Sequence, residues 1–166
     1  MLLKYFYIFL ISMIPLIELR GAIPVATAWG LMGSDNIPQT ILVYAICIVG
    51  NMLPVPIIYL FARKFLEWGK DKKLIGGICS FFLNKGAKAG KKLEAKAGQG
   101  LFIALMLFVG IPLPGTGAWT GTLAASLLGM NFKQTVLAVI AGVLIAGVIM
   151  LLASMGLFGA VGALIN

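Results

Sequence analysis

Residues 38–62, PQTILVYAICIVGNMLPVPIIYLFA, carry no charged side chain over 25 positions. At a rise of about 1.5 Å per residue, a helix of that length crosses a hydrocarbon core of about 30 Å. The run therefore predicts a spanning helix. Asp35 or Asn36 is placed to cap its start, Pro38 suits its first turn, and Arg63-Lys64 mark a cytoplasmic end. Pro54 and Pro56 each remove a backbone donor and crowd the preceding turn, so with Asn51 they predict a kink near Pro54. A second run, residues 132–158, is capped by Asn131 and predicts another spanning helix. Its Gly142, Ala146 and Gly147 are small enough for close helix contact.

The other apolar stretches, 3–17, 22–32, 101–111 and 118–130, are too short to cross comfortably. They read as the arms of two hairpins. The second pair is interrupted by GIPLPGTGAWTG at 110–121, which holds four glycines and two prolines. Continuing a helix there would cost about 1 kcal/mol per glycine and about 3 per proline, so the chain is expected to break. The first pair is interrupted by IPLIELRGAIP at 14–24, which places Glu18 and Arg20 in apolar surroundings. Non-helical backbone at membrane depth survives only when buried in protein or lining a watery cavity, and two breaks imply such a cavity. Whether residues 1–34 form a re-entrant hairpin or a kinked spanning helix stays open at this point.

Composition narrows the class further. Hydrophobic residues make up 61% of the 166, charged residues 11%, and mean hydropathy is +1.06, the profile of one integral membrane domain. It divides into a first repeat at 1–63, a cytoplasmic basic connector at 64–98 and a second repeat at 99–166. No cleavable leader is expected, because the N-terminal apolar stretch runs into Pro15, Glu18 and Arg20. Of thirteen basic residues, ten lie between Arg63 and Lys96, the clustering expected of a cytoplasmic loop rather than of a nucleic-acid interface. Within 63–96, Lys85, Lys88, Lys91 and Lys92 are expected near anionic headgroups. Membrane lipids are thus the expected partners, with a homodimer left open. Histidine is absent and Cys47 and Cys79 stand alone, so no metal site, cofactor or catalytic set is expected. The chain reads as a non-enzyme, and the lack of a nucleotide-binding motif removes ATP as a driver.

An internal repeat organises the rest. PQTILVYA at 38–45 matches KQTVLAVI at 133–140, and IPL at 14–16 recurs at 111–113. The first spanning helix must run inward to reach the basic connector and the second outward from it, so the halves are expected to be inverted. Broken helices at matching positions in two halves point to a transport site. The candidate substrate- or ion-binding residues are Glu18, Arg20, Gly21, Pro24, Asn51, Pro112, Pro114, Gly115, Thr116, Gly117 and Trp119. Glu18 and Arg20 qualify because burying a charge without a partner is costly. Their other reading is a pair that fixes the first hairpin. PLPGTGAW offers successive backbone N–H groups to an anion, or else a tight turn for close helix approach. Asn51 suits a helix-packing hydrogen bond as well as a ligand, and Trp29 and Trp119 suit interface anchors or cavity walls.

IELRGAIP at 17–24 and GIPLPGTGAWTG at 110–121, in this order across a basic loop, resemble the small multidrug export protein family over nearly the whole chain. That family is grouped with DedA-like membrane proteins, which it resembles in having paired re-entrant hairpins in an inverted repeat. DedA members are implicated in flipping polyprenyl-phosphate and other phospholipids. By this resemblance Glu18 corresponds to the acidic position of the first hairpin and Pro24 to the proline after it. Where DedA proteins place arginines in the second hairpin, this chain has Gly115, Thr116 and Gly117, so Arg20 is the one arginine at either tip. The expected protein is all-α and sits in a prokaryotic cytoplasmic membrane. It would be a transporter or lipid flippase for an amphiphilic, anionic phospholipid-like substrate, with proton coupling through Glu18. The alternatives are a drug exporter and a non-transporting scaffold.

Overall fold

A computed structural model describes residues 1–72, 76, 77, 80, 84 and 100–165. Most of the basic connector, with Lys85, Lys88, Lys91 and Lys92 as expected headgroup contacts, lies outside the described residues. Among the described residues the chain is helical, with α1 (Leu2–Met13), α2 (Glu18–Ala28), α3 (Ile37–Met52), α4 (Pro54–Gly69), α5 (Gly100–Gly110), α6 (Ala118–Leu127) and α7 (Phe132–Ile165). Two stretches are long and apolar enough to cross a membrane: Ile37–Gly69, which is α3 and α4 together, and Phe132–Gly156 within α7.

The two long stretches begin alike. Asn36 rather than Asp35 caps α3, its Oδ1 accepting the Gln39 N–H at 3.1 Å, and Pro38 sits in the first turn as expected. Asn131 does the same for α7 through the Lys133 N–H at 3.1 Å. Helix α3 stops at Met52 and α4 starts at Pro54, so the helical ladder is interrupted where the prolines predict it. The expected end at residue 63 is too early: FARKFLEWG contains good helix formers and no breaker before Gly69, so charge marks a membrane edge without ending the helix. Helix α7 likewise passes the expected end at 158 and reaches Ile165, through Gly159 and Gly162.

The short helices overlap the expected stretches but with different limits. The first link is residues 14–17, and Glu18 already opens α2, so Glu18, Arg20 and Gly21 lie in a helical first turn rather than at a hairpin tip. Backbone reversal before that point is carried by Leu16 (φ 71°) and Glu18 (φ 53°), both in the left-handed region. For non-glycine residues such conformations cost about 1–3 kcal/mol each. The second link, 111–117, uses Gly115 (φ 81°) and Gly117 (φ 141°) at the positions that follow Pro114, as Leu16 and Glu18 follow Pro15. The two links thus turn alike, although the recurring IPL triplets fall two residues out of that equivalence. Helices α2 and α6 also end alike, on Gly30 (φ 69°) and Gly129 (φ 73°). The Leu31 N–H bonds the Ala26 carbonyl as the Met130 N–H bonds the Ala125 carbonyl.

Packing repeats the same scheme. Helix α1 lies along α3 in the same direction: Ser12 donates to the Cys47 carbonyl, Gly50 faces Phe9 and Ser12, and both helices start beside the end of α2, where Lys4 meets Trp29 and Thr40 meets Gly33. Helix α5 lies along α7 in the same way, with Val109 against Gly142 and Gly110 against Ile145. In cross-packing between the halves, α2 packs on α7 and α6 on α4. The Lys4 Nζ donates to the Trp29 carbonyl at 3.5 Å, which brings the start of α1 beside the end of α2. The 14–17 link shares cavity and groove walls with residues 53–65 of the Ile37–Gly69 stretch.

Candidate functional site

The charged residues of the first half find their partners in the second break. The Glu18 carboxylate, buried at 4% exposure, accepts the Ala118 N–H through Oε2 and the Trp119 N–H through Oε1, each at 3.0 Å. Those N–H groups open α6, where the first turn has no intrahelical acceptor and the helix dipole favours an anion. Both oxygens act as acceptors. Arg20 completes the opposite end. Its Nη1 donates to the carbonyls of Leu113 (2.8 Å) and Thr116 (2.9 Å) and to the Thr116 hydroxyl (2.9 Å). Its Nη2 donates to the carbonyls of Val109 (2.9 Å) and Ile111 (3.1 Å). These carbonyls lie where α5 ends and the chain breaks, and those of Ile111 and Leu113 also accept bonds from within the link.

The second break thus owes its polar satisfaction to two side chains from the first half. The reading in which Glu18 and Arg20 pair to fix their own hairpin gives way to one in which each caps a helix end across the molecule. The Ala118 and Trp119 N–H groups, expected to be open to an anion, are engaged by Glu18. Gly117 makes the approach possible: a Cβ there would stand 2.4 Å from Glu18 Oε2.

Beside this junction lies a cavity of about 380 Å³, lined by Glu18, Phe61, Phe65, Trp119, Thr120 and Leu123 among others. A larger groove of about 600 Å³ shares Pro15, Ile58, Phe61 and Trp119 with it and continues past Leu53 and Pro54. The expected polar cavity is largely apolar, because Arg20 and most backbone groups of the breaks are turned into bonds. Glu18, Thr116 and Trp119 are brought together on its wall, while Arg20, Gly115 and Gly117 hold the junction behind them. Pro112 and Pro114 lie in the link, and Gly21 and Pro24 lie within α2. Asn51 is buried at the end of α3 and lines neither space; among the described residues its Oδ1 has no partner, nor do Trp119 Nε1 and Thr122 Oγ1.

Phe61, Phe65 and Leu123 were not among the candidates from sequence. Their apolar character is uninformative inside an apolar helix, and the one available signal was the i, i+4 aromatic spacing of 61 and 65. Those rings lie 6.2 Å apart at 22°.

Helices of this length and hydropathy, with broken helices between them and a lined cavity at their junction, define a polytopic membrane protein. The family described as "Putative small multi-drug export protein" matches residues 18–149, and the chain belongs to it. No curated protein and no solved structure matches the chain.

Proposed function

We propose that this protein is a membrane exporter or flippase for amphiphilic molecules, which enter the cavity beside Glu18. The observation that carries the reading is the cavity itself: its walls come from both halves, it lies where the two breaks meet, and its size falls in the range of small-molecule sites. The family description, an export protein, points the same way. The two helix pairs act as inverted re-entrant hairpins. Support comes from the matched caps, turns and packing of the two halves. The DedA-like relationship suggested by the sequence would give the same architecture. Glu18 is the one carboxylate on the cavity wall and so the group for proton exchange. An anionic phospholipid headgroup has less to bind than the sequence implied, since the α6 N–H groups and the Arg20 donors are already engaged.

A filled cavity tests this. In proteoliposomes, Leu123→Trp is expected to lower the rate of fluorescent amphiphile transport about tenfold or more while leaving folding intact, because the residue is 44% exposed on the open side. An unchanged rate in a folded variant would remove the cavity from the path.

The proposed location is a prokaryotic cytoplasmic membrane with residues 63–100 in the cytoplasm. Single cysteines replacing Ser34 and Lys72, in a chain with Cys47 and Cys79 replaced by serine, are expected to label from opposite faces. Labelling of both from one face would contradict the crossing of Ile37–Gly69.

A further inference from the structure

The geometry points to a lipophilic cation as the molecule this cavity recognises, an inference that rests on the transport reading and specifies its substrate. Among the described residues lining the 380 Å³ cavity, Glu18 is the sole charged one. Its carboxylate offers about four lone-pair positions, of which two hold the Ala118 and Trp119 N–H groups, so acceptor capacity remains. The start of α6 offsets only about half a unit of its charge. The opposite charge, Arg20, does not line the cavity. Its Nη1 and Nη2 face Val109, Ile111, Leu113 and Thr116, where the negative end of α5 offsets it in turn.

The remaining walls suit the same guest. Phe61, Phe65 and Trp119 line the cavity, and aromatic faces attract a cation most strongly where water is scarce. Trp119 Nε1 is sealed from the surface, so the ring presents carbon rather than an N–H donor to the cavity. Ile58, Ala62 and Leu123 supply apolar contact for the body of the guest. An anion would meet the Thr120 hydroxyl but no cationic donor among the described lining residues, and would face the carboxylate. A neutral amphiphile would fill the space without using Glu18.

Tetraphenylphosphonium and tetraphenylborate have nearly the same size and shape and opposite charge, which isolates the sign from apolar burial. With Trp29 and Trp68 replaced by phenylalanine, Trp119 reports occupancy by fluorescence in an uncharged detergent. Tetraphenylphosphonium is expected to quench it saturably, with an affinity about tenfold or more above that of tetraphenylborate. Glu18→Gln is expected to remove that preference. Should this variant fail to fold, Phe61→Leu with Phe65→Leu is expected to weaken phosphonium binding several-fold more than borate binding. Equal affinities for the two ions, or tighter borate binding, would overturn the inference. If proteoliposomes then still carry a neutral amphiphile and Leu123→Trp blocks it, only the cation preference has failed. If no amphiphile moves, the transport reading fails as well.

Discussion

Replacing Arg20 with lysine is expected to lower the midpoint of thermal unfolding by about 10 °C, and replacing it with alanine by more. The guanidinium spans the end of α5 with two nitrogens that together reach five acceptors at 2.8–3.1 Å. A lysine ammonium keeps the charge but has three donors on a single point, which cannot reach Val109 and Thr116 together. Hydrogen bonds to a charged group contribute about 1.5–3 kcal/mol each. Loss of two without replacement therefore removes about 3–6 kcal/mol. For a chain of this size, 1 kcal/mol corresponds to about 2–4 °C. Circular dichroism of the purified protein in detergent gives the midpoint. An Arg20→Lys variant that melts with the parent would mean that a point charge suffices, and that the forked geometry is incidental.

The second large effect is expected at Gly117. Gly117→Ala should leave little folded protein, whereas Gly115→Ala should fold with a loss of about 1–2 kcal/mol. Both positions have positive φ, at 141° and 81°, but their surroundings differ. An added Cβ at Gly115 meets no heavy atom within 4 Å, so the cost is backbone strain alone. At Gly117 it meets all three atoms of the Glu18 carboxyl group at 2.4–2.7 Å, and the carboxylate cannot withdraw without abandoning the α6 N–H groups. The cost at Gly117 joins strain to the loss of two charge-assisted bonds. Size-exclusion profiles of the two variants compare them directly. A monodisperse Gly117→Ala protein would show that the Glu18 contact tolerates displacement.

Caps, breaks and long helices were legible because each depends on local chemistry. Asn36, Pro38, Pro54 and Asn131 act within a turn or two of their own positions. The end of α4 was misread because Arg63-Lys64 report where a membrane ends, and a helix ends only where its backbone is interrupted. The roles of Glu18 and Arg20 were half legible. Charge at depth identified them, but their partners lie 89–101 residues away along the chain, a pairing that no local pattern encodes. The cavity walls were hidden for a different reason. Phe61, Phe65 and Leu123 look like any other apolar residue of a spanning helix, and only the packing of α6 on α4 sets them around one space.

The exchange of caps between the halves also bears on biogenesis. When α1 and α2 leave the ribosome, the groups that Glu18 and Arg20 will satisfy do not yet exist. At about 5–20 residues per second, residues 109–119 follow roughly 5–20 s later. Throughout that interval a carboxylate and a guanidinium must wait at the water-lipid boundary or in a shielded environment. The first half therefore docks late, and a ribosome stalled within the basic connector would leave a nascent chain whose charged turn has nowhere to settle.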